Sequence, residues 1–272
     1  MLEIFFHMMD KMEVKRKDAN KKEIKPNEKK DENENDDEKE VEKETDEDLD
    51  IITITLGKAK IFIFETLKGL VREKRRVREA FEETMPEVVA LPISKEQLEG
   101  LKSYIAGKRE KVFLSHYEEI YARNLAKYGK VMVPPPSYIE AAKICKEKNI
   151  DIVAADMNEE EYTDAFIQNI RTYQYLLYSI RWRLLKRKRF KSRTPRDFVF
   201  EWDREISKIK GFANLERARE RYIASEIIKL ATKYNRVLAI VELERSDGIS
   251  SEILEHKSAM KGKKNDKKKD CK

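Results

Sequence analysis

The stretch IITITLGKAKIF, Ile51 to Phe62, decides how the rest of the chain is read. IITITL, Ile51 to Leu56, alternates β-branched and threonine side chains and predicts a buried strand. A glycine closing such a strand predicts a sharp backbone turn that presents side chains at the strand's C-terminal edge, where α/β proteins commonly hold their reactive groups. The side chains presented there are Lys58 and Lys60.

Outward from that point the chain alternates. A helix is expected over about 61–83, a second strand at EVVALPI (Glu87 to Ile93) and a helix from about Ser94 to Ile105. VMVP, Val131 to Pro134, suggests a short strand, and PPPSYIEAAKICKEKN places proline at a helix start, where its missing N–H costs nothing. IDIVAAD (Ile150 to Asp156) and RVLAIVEL (Arg236 to Leu243) are further runs of strand length, and about 159–234 is helical by pattern. Strands alternating with helices predict an α/β fold, a mainly parallel or mixed sheet covered by helices, here with a helical insertion.

The flanks differ in composition. Residues 1–50 carry 11 lysines and arginines against 19 carboxylates, about −8, which leaves about +14 on the remainder. Residues 31–50 alone hold 13 carboxylates and 2 lysines. Such a segment buries too little apolar surface to offset its ordering entropy, so 1–49 is expected to be a disordered charged tail, with an acidic arm folding back on the basic body as the alternative. The domain is expected over 50–258, followed by a basic disordered tail over 259–272. The opening MLEIFFHMM is too short and too acidic on its flank for a secretion signal, and Met8, Met9 and Met12 are alternative starts.

Composition narrows the function classes. Charged residues make up 40% of the 272, with 8 Gly, 7 Pro and 2 Cys, a balance that hyperthermophilic proteins favour. The two cysteines form neither a disulfide framework nor a metal-ligand spacing, so a cytoplasmic location is expected. No apolar run approaches the roughly 18 residues of a membrane span. There is no P-loop, no glycine-rich dinucleotide fingerprint and no GxSxG turn around Ser94 or Ser115. His7 and His256 lie near the ends, and His116 in LSHYEEIYARN is expected on a helix surface.

Several stretches taken in order resemble the TraB/PrgY family, an α/β group related to the TIKI metalloproteases and the EreA/ChaN-like fold. Against that family's GTAH-like turn, LGKAK fits at Gly57 and Ala59 and has Lys60 in the histidine place. PEVVALPI resembles its PDVVAVEL strand, with Pro92 in the acidic position. YIEAAKICKEKNIDIVAADM keeps Asp156 and has Met157 where arginine belongs. RARERYIASEIIKLATKYNRVLAIVELERSDGIS fits an ERDRYMA helix and a GAGH strand end at Arg219, Ala224, Gly248 and Ile249, with Ala218 for glutamate and Arg245 in the histidine slot.

The resemblance implies a site of two strand-end histidines and an acid that bind a divalent ion. Protonated lysine and arginine offer no lone pair and repel a cation, so the inherited metal site is expected to be lost, with no cofactor. The cleft would then favour an anion, with Lys58, Lys60 and Arg245 as ligands, or Lys60 would simply pair with Glu242 or Glu244. The resulting expectation is a binding or regulatory module, a pseudoenzyme. One alternative is a hydrolase with a site rearranged around Asp156, Arg219 and Glu220. The other is a basic protein binding nucleic acid or an anionic surface through the helix Arg171 to Arg193.

In that helix Tyr173, Leu177, Ile180 and Leu184 predict a buried stripe, leaving Arg181, Arg183, Lys186, Arg187, Lys188, Arg189 and Lys191 outward. Trp182 and Phe190 are candidates to stack on a base or sit among headgroups. Asp197, Glu201, Asp203 and Glu205 would share part of the charge. The partner is left open among an anionic ligand, a nucleic acid and a second copy of the chain.

Overall fold

A computed structural model describes Leu49 and residues 51–108 and 114–269, with side chains to Met260. Its strands are β1 (Ile51–Leu56), β2 (Ala59–Thr66), β3 (Val88–Leu91), β4 (Asp151–Ala154) and β5 (Arg236–Glu242). They form one mixed sheet in the order β1-β2-β5-β3-β4, with β1 antiparallel to β2 and the other pairs parallel. The helices are α1 (Glu73–Thr84), α2 (Lys95–Ile105), α3 (His116–Leu125), α4 (Pro136–Lys148), α5 (Glu159–Asn169), α6 (Thr172–Arg187), α7 (Pro195–Ser207), α8 (Lys210–Ala231) and α9 (Leu243–Lys269). The fold is α/β, as the alternation of the sequence implies.

Helices cover both faces of the sheet, and strand parity assigns the side chains. Ile61, Ile63, Val88, Ala90, Val237, Ala239 and Val241 pack on Ile223, Ala224 and Ile227 of α8 and on Ile249 and Ile253 of α9. The alternate residues Phe62, Phe64, Val89, Leu91, Leu238 and Ile240 pack on Val77, Ala80 and Phe81 of α1 and on Tyr138, Ile139 and Ala142 of α4. Because successive strand residues point to opposite faces, strands buried on both sides become nearly continuous apolar runs.

That rule corrects the first element boundary. IFIFET is not the start of a helix but part of β2, which pairs with β1 over Ala59 to Phe64 and with β5 over Lys60 to Thr66, and the helix begins only at Glu73. Gly57, at φ +63°, forms the two-residue hairpin turn between β1 and β2. VMVP is no strand and makes only an isolated antiparallel bridge, Val131 to Leu70. α9 runs to Lys269, past the boundary expected at residue 258. The tail expected over 1–49 lies outside the described residues except Leu49, which packs against the core.

Local signals fix several helix starts. Ser94, Ser115 and Asn158 each accept a bond from the N3 amide, while Gln97, Glu118 and Glu161 reach back, so Ser94 and Ser115 are capping residues rather than nucleophiles. Pro136 and Pro195 open α4 and α7. Leu238 is fully buried at the centre of the sheet. Leu238→Ala is expected to lower unfolding free energy by about 2–5 kcal/mol in urea titration, and Lys60→Ala, at an exposed position, by less than about 0.5 kcal/mol.

Candidate functional site

The four parallel strands end together at Thr66, Leu91, Ala154 and Glu242, and this edge is where open α/β sheets form their sites. Lys60 lies at the other edge, in register with Arg236 and donating its N–H to Asn235 O at 2.7 Å. Six residues of strand separate that level from Glu242, about 20 Å at roughly 3.3 Å per residue. Lys58 and Lys60 are both exposed near the hairpin turn. The expected cationic cleft of Lys58, Lys60 and Arg245 is therefore not assembled. Its cause is the hairpin: β1 runs antiparallel to the other strands, so its end and the turn that follows lie at the opposite edge of the sheet.

At the edge itself charges are buried and paired. Asp156, after β4, receives Arg219 of α8 through Nη2 at 2.5 Å and Nε at 3.2 Å, and its other oxygen accepts the Met157 N–H at 2.8 Å. Arg219 also donates from Nη1 to Glu216 at 2.7 Å. Arg245, in the first turn of α9, faces Asp203, Glu220 at 2.9 Å and Glu216 at 3.7 Å. Lys68, just beyond β2, donates to Glu242 at 2.8 Å, which is the pairing expected of Lys60. Glu65 accepts from Ser246 and lies 2.8 Å from Arg196.

Asp156 and Glu220 thus do not form a carboxylate pair with each other. Each answers its own arginine, and the two arginines are linked through Glu216. Two influences oppose at Glu220. Burial and the charge of Glu216 push its carboxyl up to about 7, whereas the contact with Arg245 favours the ionised form. Burial lowers Arg245 to about 10, still charged at neutral pH.

Next to this network lies a cluster of titratable side chains that pattern reading missed. Glu242, Glu244, Lys68, Tyr121 of α3 and Tyr138 of α4 each perturb another's protonation. Burial alone would raise Glu242, but Lys68 and Arg219 outweigh it and hold the carboxyl low. Glu244 is raised, first by burial and then by the charge of Glu242, although it sits in the first turn of α9, where a helix favours an acid. The Tyr138 hydroxyl is buried with no hydrogen-bond partner among the described residues. Glu242 and Glu244 are thus shifted in opposite directions within one strand-end cluster that also holds Lys68, Tyr121 and Tyr138.

Neither a thiol nor a metal centre competes with this arrangement. Burial, followed by the charge of Asp151, pushes the Cys145 thiol up to about 12. Among the described residues no group of three His, Cys, Asp or Glu side chains is arranged to hold a metal ion. The signal for this cluster was nevertheless in the sequence. Reading IFIFET as the second strand moves the functional edge from Gly57 to Thr66 and brings Glu65 and Lys68 to it.

The basic helix α6 is oriented opposite to expectation. Tyr173, Leu177, Ile180 and Leu184 are 55–67% exposed, and the buried face is Gln174, Tyr178 and Leu185. Tyr178 decides the rotation, stacked between Tyr117 at 4.1 Å and Phe212 at 4.0 Å. Arg181 and Lys188 bind Glu205, and Lys188 also binds Glu201, whereas Asp203 serves Arg245. Trp182 stacks on His116 at 4.3 Å with Arg183 over its ring, and Arg187 is exposed. Phe190 is buried against Phe198 and Trp202, so it is not open to a base or a headgroup.

Two outcomes follow from the paired edge. Asp156→Asn strands a buried guanidinium and is expected to cost about 3–5 kcal/mol in urea unfolding. Glu244 holds its proton more tightly folded than unfolded. Its contribution is full below the unfolded value near pH 4.3 and is lost as pH rises through its raised folded value. Glu244→Gln should remove that alkaline decline in a pH series of melting temperatures. It should leave intact the decline below about pH 4 contributed by groups held low, such as Glu205 at about 2, where Lys188, Lys208 and Arg181 outweigh burial.

In comparisons with known proteins, no family model matches the chain and no curated protein matches it.

Proposed function

We propose that the chain is a divergent TraB-like binding or regulatory module, a pseudoenzyme of the cytoplasm, whose ligand site is the strand-end cluster of Lys68, Tyr121, Tyr138, Glu242 and Glu244. The observation that carries this reading is the buried Tyr138 hydroxyl, which has no hydrogen-bond partner among the described residues, in one electrostatic cluster with Glu244, whose carboxyl burial pushes up to about 8. Both groups donate hydrogen bonds, as does Lys68, so the fitting ligand presents an acceptor oxygen, a carboxylate or a carbonyl. Leaving a buried hydroxyl unsatisfied costs about 1–3 kcal/mol, which a ligand oxygen would recover.

The resemblance fits better with its first motif moved to the strand that reaches this edge. Glu65-Thr66-Leu67-Lys68 then takes the place of the GTAH-like turn, keeps its threonine, and sets Lys68 in one histidine position with Arg245 in the other. Both positions carry cations already answered by carboxylates, Lys68 by Glu242 and Arg245 by Asp203, Glu216 and Glu220. A divalent ion has no place between them, and the fit to an acceptor-bearing ligand comes from the neutral donors.

A second reading rests on the divergence of Glu242 and Glu244. Neighbouring carboxyls held in opposite protonation states are the arrangement of a general base and a general acid, with Tyr138 and Glu244 as donors to a developing oxyanion. This is the rearranged-site enzyme, moved from Asp156, Arg219 and Glu220 to this cluster.

The test combines elemental analysis of the purified chain with thermal shifts in acetate, succinate and citrate. The expected result is no stoichiometric divalent metal, and a melting temperature raised by at least one carboxylate in the native chain but not in Tyr138→Phe or Lys68→Met. Stoichiometric zinc or manganese would overturn the binding-module reading, as would equal shifts in all three proteins. Ester hydrolysis with a bell-shaped pH profile, abolished by Glu242→Gln, would select the enzyme.

A further inference from the structure

α6 carries an apolar face that nothing in the fold covers. Tyr173, Leu176, Leu177, Ile180 and Leu184 are each more than half exposed, and Ile167 at the end of α5 is 70% exposed. At about 100° per residue the five residues of α6 fall within an arc of about 100°, so they form one stripe rather than scattered positions. Contiguous apolar surface of this kind marks an interaction site in a folded protein, whereas single exposed leucines do not.

The charge beside the stripe has one sign. From Ile170 to Arg196 the chain has ten lysines and arginines and no acid. Arg181, Lys188 and Arg196 are paired with Glu205, Glu201 and Glu65. Arg183, Lys186, Arg187, Arg189, Lys191 and Arg193 have no carboxylate partner among the described residues, and all six are exposed. On the helical projection Arg183 borders one side of the stripe and Arg181 the other, while Arg187 continues the stripe's own face about one turn beyond Leu184. Tyr173 stands near its start and the half-buried Trp182 beyond its basic border.

We propose that α6 lies flat on an anionic lipid bilayer, with the stripe entering the headgroup–acyl boundary and the flanking cations meeting anionic headgroups. Its 16 residues, about 24 Å of helix, suit an in-plane anchor, and no helix among the described residues is long and apolar enough to cross a membrane. A bilayer answers both features at once, whereas the other occupants answer one. A second copy stacking α6 on α6 would bring cations against their own copies with no acid in the segment to neutralise them. Nucleic acid would take the charge and leave the stripe in water. The acidic stretch 31–50 offers carboxylates but only Val41 and Leu49 as apolar side chains.

The full chain is tested by co-sedimentation with vesicles of phosphatidylcholine alone and of phosphatidylcholine mixed with phosphatidylglycerol, over a range of salt. Parallel measurements follow binding to single-stranded RNA and sedimentation equilibrium without lipid. The expected result is binding to the anionic vesicles that weakens as salt rises, with little binding to the neutral ones. Leu177→Asp with Ile180→Asp should reduce partitioning at least about tenfold, and Arg183→Glu with Arg187→Glu should reduce it on anionic vesicles. Both pairs are exposed, so melting temperatures should stay close to the native value. The proposal is overturned if the folded chain stays in the supernatant with anionic vesicles at low salt, or if the Leu177→Asp/Ile180→Asp variant binds them as the native chain does. A lipid-free dimer dissolved by that variant, or RNA binding through Arg183 and Arg187 without vesicle binding, also overturns it.

Discussion

The buried ion pair of Arg219 with Asp156 is the constraint on which the architecture turns. Asp156 ends the run after β4, and Arg219 lies 63 residues later on α8, beyond the whole helical insertion. Two charges removed from water cost several kcal/mol each, so such a pair is retained only where nearly every polar atom is satisfied. Here the guanidinium meets both Asp156 and Glu216, and the second carboxylate oxygen takes a backbone N–H. The pair fixes where α8 crosses the sheet edge. It thereby also sets where α8 presents Glu220 and Glu216 to Arg245 of α9.

From that anchor the edge is built as alternating charge. Arg245 is enclosed by Asp203 of α7 and by Glu216 and Glu220 of α8, so the start of α9 is tied to two helices of the insertion as well as continuing β5. Lys68 and Glu242 join the ends of β2 and β5 in the same way. Lys68 and Arg245 act at this edge as counter-ions to a dense set of carboxylates. Glu244 and Tyr138 stand apart from this pairing: burial and then the charge of Glu242 raise the Glu244 carboxyl, and the Tyr138 hydroxyl has no hydrogen-bond partner among the described residues.

Much of this was legible in the sequence, and the failures have physical causes. β3, β4 and β5 are short apolar runs bounded by polar residues, and Pro136 and the capping serines mark helix starts by local chemistry alone. IFIF failed because a four-residue apolar run is buried equally well as a doubly covered strand or as one face of a helix. That single misreading moved the functional edge to Gly57 and placed Lys60 in a site it does not reach. Asp156, Arg219, Glu220 and Arg245 were singled out by the sequence, as a rearranged acid site and an anion ligand, and the structure brings them together in one network of ion pairs with Glu216. Lys68, Tyr138 and Glu244 were not, since Lys68 finds its partner 174 residues away and no local pattern encodes such a meeting.

The rotation of α6 shows what periodicity leaves undetermined. Spacing of three and four establishes that Tyr173, Leu177, Ile180 and Leu184 share a face, but not that this face turns inward. The inward side is chosen by Tyr178, whose ring fills the space between Tyr117 and Phe212 and whose carbonyl accepts the Tyr117 hydroxyl at 2.5 Å. A stacked aromatic core of this kind, with Leu185 beside it, outweighs the larger aliphatic stripe because it matches the shape of α3 and α8. The aliphatic stripe is left outside, with an uninterrupted basic run beside it. The cations at the sheet edge are thus neutralised by carboxylates, whereas those left unanswered along α6 retain a field that acts on something outside the protein.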